Sequence, residues 1–564
     1  MTSPLLLEHF DELIATPEDV EKLHRSILQL AMQGKLVDQE NGKWTEEDVK
    51  NTLAKEIQGF IDAGKMTKPS KILPITKKDI PEDKPENWLS IHLGECLGLV
   101  NGRAYKQSEL LDSGTPVIRI QNLNGSERWY YSELELSPEK YCYTNDLLFA
   151  WSASFGPYIW EGDRAIYHYH IWKIELTSYL DKKFAYYLLK YLTEQIRDAS
   201  HGLAMLHITK EKMENWVIAL PPLSEQEHIV TRLEGLFAQT RRLAEELANS
   251  RRELDRLNES ALARLLASET PEEFNEHWGF IAEHFDLLTS APEHIAPLRQ
   301  SILELAVRGK LTRREAGDES AGELLKRSRE KKAKTGKEKP VSPVKEIEKP
   351  FELPDGWEWV KLGEIGNAVN FPIVDGPFGT AIDTKADYIN SGVPVVRMMN
   401  VKPYKFIPEN MKYVSQEKYE TLMRHNVLPG DVLFSKVGAG IGEACLVPQD
   451  FGHGMLSTTG VTRFRVGEIV LPEYLNHFLN SHKEEFVDMA SKTAQPFLNM
   501  GMIKNVLFPL PPFAEQERIV KRVEQLLSLC DALEAQLMSA EEERGRLVES
   551  VLAGVGGRDG EEKT

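Results

Sequence analysis

The sequence predicts an α+β chain built as a pseudo-twofold tandem repeat, in which two α/β domains are joined by two long antiparallel coiled-coil helices. Three observations predict it. LHRSILQLAMQGKL (Leu23 to Leu36) returns as LRQSILELAVRGKL (Leu298 to Leu311) with nine of fourteen positions identical. PPLSEQEHIVTRLEGLF (Pro221 to Phe237) returns as PPFAEQERIVKRVEQLL (Pro511 to Leu527) with ten of seventeen identical. Each PPxxEQExIV is followed by apolar residues in alternating steps of four and three, the a/d seam of a coiled coil.

In chain order, residues 1–45 form the first helical repeat and 46–84 a linker. Residues 85–222 are the first α/β domain, with strands expected at VIRI, LLFA and IWKI and a helix over Lys182 to Arg197. The central helix spans 223–268, started by Pro221-Pro222 with Ser224 as its cap and Glu225 and Glu227 at its positive end. Its stripe is Ile229, Leu233, Leu236, Thr240, Leu243, Leu247, Ser250, Leu254, Leu257 and Ala261.

The second copy repeats the plan: a helical repeat at 269–320, a charged flexible linker at 321–350, the second α/β domain at 351–512 and the last spacer helix at 513–564. The Lys-, Glu- and Pro-rich stretch from Leu325 to Pro350 reads as a tether. Strands are expected at VPVVRM, DVLFSKVG and VTRFRV, and a helix over Pro472 to Met489. The final stripe runs Ile519, Val523, Leu526, Cys530, Leu533, Leu537, Ala540, Arg544, Leu547 and Val551. Each long helix is expected to run about 35 to 40 residues, roughly 50 to 60 Å at 1.5 Å per residue.

Between the anchors the copies echo one another more weakly. Pro85, Trp88 and Leu93-Gly94-Glu95 match Pro354, Trp357 and Leu362-Gly363-Glu364; SGTPVIRIQN matches SGVPVVRMMN; NDLLF matches GDVLF. Insertions accumulate in the middle of the second copy. Because loops tolerate insertion and carry recognition, each copy reads as a shared scaffold bearing its own binding surface.

Composition narrows the function. Hydrophobic residues at 41% and charged residues at 27% are globular values. No run of eighteen apolar residues suggests a membrane span, and no basic leader or cleavage site suggests export, so a cytoplasmic protein is expected. Cys96, Cys142, Cys445 and Cys530 form no CxxC pair. The net charge of −19 opposes nucleic-acid binding as a total, but Trp88 to Leu220 holds 13 basic and 16 acidic residues and Trp357 to Leu510 holds 14 and 16. The excess lies in helical and connecting segments, leaving room for basic surfaces on the domains.

Enzyme chemistry finds no support. LPPL and LPPF place Leu220 and Leu510 where an amino-methyltransferase loop needs a polar acceptor. VGAGIG (Val437 to Gly442) runs on into EACLV, a hairpin turn rather than a cofactor loop. Gly34-Lys35 and Gly309-Lys310 precede leucine, so neither is a Walker motif, and the fifteen histidines show no metal spacing. His168, His170, His201 and His207 read as structural or loop residues. No catalytic and no metal-binding residue is expected.

Two variable domains, each opened by a Trp…LGE strand and closed by PPxxEQExIV running into a long helix, resemble the specificity subunit of type I restriction-modification systems. SILxLAxxGKL before each domain resembles one branch of that family. The resemblance implies two target-recognition domains that each read one half of a split, asymmetric site in double-stranded DNA, with the two helices as a ruler. It implies two modification subunits that methylate adenine and restriction subunits that translocate and cut DNA. S-adenosylmethionine, ATP and Mg are expected on those partners and no cofactor in this chain.

Arg and Lys suit guanine edges and phosphates, and Asn and Gln suit adenine. DNA contact is therefore expected from Arg103, Lys106, Arg119, Gln121, Asn122, Asn124 and Arg128 in the first domain. In the second it is expected from Lys385, Arg397, Asn400, Lys402 and Lys436, with Asp375, Gly376 and Gly379 in the glycine-rich DGPFGT loop. The competing role for each cation is a surface salt bridge. Trp129-Tyr130-Tyr131, Trp151, Tyr158, Trp160 and Tyr167 to Trp172 are divided between base stacking and core. The alternative from another class is a coiled-coil scaffold or regulator whose α/β domains bind proteins.

Overall fold

A computed structural model of the chain describes residues 8–556 except 40–44, 82–83, 153, 199–207, 336–343, 379–380, 458–459 and 493–495. It divides into two units, residues 1–251 with 542–564, and residues 252–541. Each contains one helical repeat, one α/β domain and parts of both long helices.

The first unit's α/β domain holds two four-stranded sheets. One runs Leu97–Asn101, Ile171–Leu176, Leu147–Ala150, Gly156–Ile159; the other Tyr130–Ser132, Thr115–Ile118, Ala165–Tyr167, Tyr141–Cys142. The second unit has the same order twice: Ile373–Asp375, Val461–Phe464, Val432–Ser435, Ala444–Leu446, and Lys412–Val414, Val393–Val396, Gly454–Leu456, Asn426–Val427. Even the parallel strand pairing recurs, Thr115–Ile118 beside Ala165–Tyr167 and Val393–Val396 beside Gly454–Leu456. The strands foreseen in the sequence form, but VIRI ends at Ile118 and VPVVRM at Val396, where the chain turns into a single helical turn.

A separate two-stranded ribbon ties the two ends of each domain together, Leu89–His92 with Val217–Leu220 and Glu358–Lys361 with Leu507–Leu510. Its neighbours explain why the repeated motifs repeat. The Trp88 indole N–H donates to Glu225 at 2.8 Å, and Trp357 donates to Glu515 at 3.0 Å. Gln226 caps the preceding turn by donating to the Tyr179 and Pro221 carbonyls, and Gln516 donates in the same way to Ile469 and Pro511. Both carboxylates and both amides are buried, so the EQ pair supplies hydrogen bonds that the interior would otherwise lack. Glu225 is thus an internal acceptor rather than only a charge at a helix start.

GKL has an equally local cause. Gly34 and Gly309 end their helices at φ +69° and +68°, and Pro85 with Trp88, or Pro354 with Trp357, packs where a Cβ would stand. A left-handed residue pressed by a proline ring must be glycine.

The long helices span Leu223–Ala267 and Phe513–Gly556, 45 and 44 residues, longer than the about 35 to 40 expected and starting right after each Pro-Pro pair as foreseen, so Ser224 lies inside the first helix and is not its cap. The first unit contains the start of the central helix and the end of the last one, with Val548 and Leu552 in one core with Ile229, Leu233 and Phe237. The second unit contains the end of the central helix and the start of the last, as antiparallel pairing requires.

Within each unit the SILxLAxxGKL helix contacts both. In Pro17–Met32, His24 hydrogen-bonds Thr240 while Asp19 pairs with Arg544 and Lys22 with Glu549. In Ile295–Val307, Leu305 joins Ala261, Leu262 and Leu265, while Ile295 and Ile302 pack on Cys530 and Arg299 reaches Glu534 at 2.9 Å. The seam also shifts by one residue past the midpoint. Ser250, Leu257, Ala540 and Leu547 are exposed, whereas Arg251 is half-buried and Asn258 and Val548 are buried. A straight helix of 3.6 residues per turn drifts from a strict heptad, and the drift moves the stripe.

Both linker expectations need correction. Glu46–Asp62 is a helix with Val49, Leu53 and Ile57 buried, and Ala321–Thr335 is its counterpart, with Leu324 and Leu325 in the domain core. Arg329 pairs with Glu364 at 2.7 Å, fixing part of the charged run that had looked like a tether. Residues 336–343 of that stretch, and His201 and His207, lie outside the described residues. The helix foreseen over Pro472 to Met489 is broken at His482 into Pro472–Ser481 and Lys483–Ser491. VGAGIG does join two antiparallel strands, Val432–Ser435 and Ala444–Leu446. Among the described residues no helix is long and apolar enough to cross a membrane.

Candidate nucleic-acid interface

Four loops meet at one end of each α/β domain, and main-chain bonds fix them alike in both copies. Gly102 N–H donates to the Ile171 carbonyl (3.1 Å) and Gly376 to Val461 (3.2 Å). His168 donates to Ile118 and Ser457 to Val396, both at 2.9 Å; Trp151 donates to His170 and Lys436 to Gly460, both at 3.1 Å. The frame is one frame used twice.

The turn after the parallel strand carries an RxxN brace. The Asn122 side chain accepts from the Arg119 backbone N–H at 3.0 Å and donates to the Ser126 and Arg128 carbonyls. Asn400 accepts from the Arg397 N–H at 2.9 Å and donates to Ile407 and Glu409. Both amides are buried. They are braces rather than adenine readers, because both amide donors and the buried amide oxygen of each are engaged by its own loop.

Beneath the loops the two copies differ at matching positions. In the first, the Trp172 indole donates to Asn101 at 2.6 Å and stacks on Trp151, with centroids 5.9 Å apart. In the second, Thr462 donates to Asp375 at 2.6 Å, and Lys436 forms a buried ion pair with that carboxylate. Asn101 pairs with Trp172, and Asp375 with Thr462, at the same register. Asp375 and Lys436 are therefore corrected from DNA contacts to an internal pair that neutralises itself. Gly376 is buried beside Val461, and Gly379 lies outside the described residues.

The remaining candidates lie at the surface. Arg119 and Arg128 both lie over the Tyr130 ring, 5.3 and 5.4 Å from its centroid, a cation–π arrangement that ties both guanidiniums to one ring. Gln121 reaches the Arg128 carbonyl at 3.4 Å, and Asn124 accepts from the Tyr158 hydroxyl at 3.0 Å. Arg103 forms a two-bond pair with Glu109 and covers Tyr105. Lys106 and Lys385 are exposed. Arg397 donates to the Asn410 carbonyl, and Lys402 pairs with Glu443 at 3.3 Å. The surface salt bridge is thus the observed state of Arg103 and Lys402.

Sequence reasoning divided the rings of the first head between base stacking and core, and read His168 and His170 as structural or loop residues. His168, Tyr169 and His170 stand together, with Trp151 edge-on to His170 at 5.0 Å. Burial, with His170 and Arg119 nearby, pushes the His168 imidazole down to about 4, so it is neutral at physiological pH. The dense aromatics of Tyr167 to Trp172 were visible as a run; that His168, Tyr169 and His170 form the turn between the strands Ala165–Tyr167 and Ile171–Leu176 while Tyr167 and Trp172 are buried could be found only from the fold. Among the described residues no group of three or more His, Cys, Asp or Glu is placed to hold a metal ion.

Comparison with known proteins gives a consistent result. The family described as "Type I restriction modification DNA specificity domain" matches this chain twice, at residues 85–250 and 354–540. The chain is similar to the EcoEI specificity subunit of Escherichia coli, 27% identical, with 94% of this chain and 93% of that subunit covered. It is similar to the EcoAI specificity subunit of E. coli at 25% identity, with the same shares covered. A solved HsdS subunit from Thermoanaerobacter tengcongensis is 19% identical, covering 84% of this chain and 97% of that one at a TM-score of 0.40. The two family matches enclose both loop-bearing domains and the first part of each long helix, and together they take in more than half of the sequence: the chain belongs to the type I restriction-modification DNA specificity family.

Proposed function

We propose that this chain is the DNA-reading subunit of a type I restriction-modification complex, in which each head reads one half of a split, asymmetric site in double-stranded DNA. The observation that carries this reading is the pairing of an identical frame with unlike chemistry: the Asn101–Trp172–Trp151 stack in one head occupies the place of the Asp375–Thr462–Lys436 ion pair in the other. A scaffold that binds the same partner twice has no use for that difference. A reader of two different half-sites requires it.

On this reading the chain performs no chemistry. Two modification subunits bind S-adenosylmethionine and methylate adenine within the site, and restriction subunits supply the ATP- and Mg-dependent translocation and cleavage. Net charge of −19 is compatible with DNA binding because two heads acting together need only modest local attraction each. The setting is the cytoplasm, where DNA and these partners meet. The test is methylome sequencing of the host with and without the gene. Loss of one two-part adenine motif with unlike halves is the expected result; an unchanged set of motifs overturns the proposal.

A further inference from the structure

The two heads differ at their rims as well as at their bases. In the RxxN turn the first copy presents Ile120 and Gln121, both half-buried, where the second presents Met398 and Met399, 40% and 47% exposed. Met398 lies against the place where a Cβ on Gly460 would stand, and Val437 touches the same point. Val437 in turn bridges to Phe497, itself 40% exposed. The loop that leaves the sheet beside Val461 carries Phe378, at 71% the most exposed aromatic ring of the second domain. Met398, Val437 and Phe497 thus form an apolar rim, with Phe378 exposed on a further loop, beside a base whose two charges, Asp375 and Lys436, cancel each other.

At the matching positions the first head has Ile120 and Gln121 for Met398 and Met399, and the buried Ser152 for Val437. Exposed sulfur and aromatic carbon are costly to leave in water, and a contiguous apolar patch on a surface that faces a ligand marks what the ligand offers. Base-pair edges offer one apolar group in the grooves, the 5-methyl of thymine in the major groove. Resting on the DNA-reading role above, we infer that the second head recognises its half-site through thymine methyl groups seated against Met398, Val437 and Phe497. Arg397, one residue before Met398, supplies the adjoining cation.

The test uses the full chain assembled with its modification subunits and duplexes carrying the motif found by methylome sequencing. Each thymine is replaced in turn by deoxyuridine, which removes only the methyl group. Within one half of the site at least one replacement is expected to weaken binding about fourfold, the effect of one lost buried methyl contact. Met398→Ala and Phe497→Ala are expected to weaken the thymine duplex and to bind thymine and deoxyuridine alike at that position, while leaving the other half unaffected. Equal binding of thymine and deoxyuridine throughout both halves overturns the inference, as does loss of subunit assembly rather than DNA affinity in the two variants. A rim that wedges between base steps would show weakened variants with no thymine preference, which also overturns it. Failure of the reading itself is separate: the unmodified duplex would then be bound no better than a scrambled one.

Discussion

Asn400 holds a turn closed from inside the protein, with the Ile407 carbonyl 2.8 Å and the Arg397 N–H 2.9 Å away. Asn400→Ala leaves these groups buried without partners and is expected to cost about 1–3 kcal/mol, measured as a shift in the urea midpoint. Arg128 stands at the other extreme, exposed on the Tyr130 ring that it shares with the half-buried Arg119, and open to a phosphate. Arg128→Ala is expected to weaken binding for one half-site and to lower the salt dependence of the binding constant by a slope of about one. An unchanged slope removes it from the interface. His477 is buried in the helix Pro472–Ser481 and its imidazole is pushed down to about 4. Falling pH protonates the unfolded chain first, so stability held above the ordinary value of 6.5 is lost between there and about 4. His477→Gln is expected to remove about 2 kcal/mol of the decline between pH 7 and pH 5, read as a flatter dependence of the melting temperature on pH. At this scale residue type was legible and residue exposure was not: Asn and Arg were visible three positions apart, but only the fold shows that the first is spent inward and the second faces out.

Among the elements, the ribbon, the Pro-Pro turn and the start of each long helix act as one joint, with Trp357 and Glu515 at its centre. Trp357→Phe keeps most of the ring contact but takes the indole donor from one oxygen of the buried Glu515 carboxylate, whose other oxygen keeps the Thr312 hydroxyl. A loss of about 1–3 kcal/mol is expected in chemical denaturation, and Glu515→Gln in the same background should recover part of it. Gly309→Ala meets both a left-handed backbone and the Pro354 ring, and at least about 1 kcal/mol is expected from the backbone alone. The joint was legible as repeated letters, since EQ, GKL and Pro…Trp recur wherever the same contacts recur. The helices over Glu46–Asp62 and Ala321–Thr335 were not. Charge-rich sequences satisfy solvent equally well as coil, and three or four buried apolar residues decide the matter through tertiary packing.

At the scale of the whole molecule, the repeat was legible and its closure was not. Residues 542–564 belong with residues 1–251, where Val548 and Leu552 complete a core begun by Leu23, Ile27 and Leu233. Removing residues 542–564 is expected to lower amide protection in Pro17–Met32 and Leu223–Phe237 while the second domain's sheets keep theirs, as measured by hydrogen exchange. Equal loss in both units would show that this core does not stabilise the first unit by itself. The heptads foretold two long helices, but no local pattern states that Arg544 meets Asp19.

That closure sets a schedule for synthesis. When the ribosome has finished residue 251, the first unit still lacks the helix end that seals it, and roughly 290 further residues must be made before that segment exists. At about 5–20 residues per second the wait is roughly 15–60 s, during which the second unit has time to fold. The first unit, though its synthesis begins first, is thus sealed after the second.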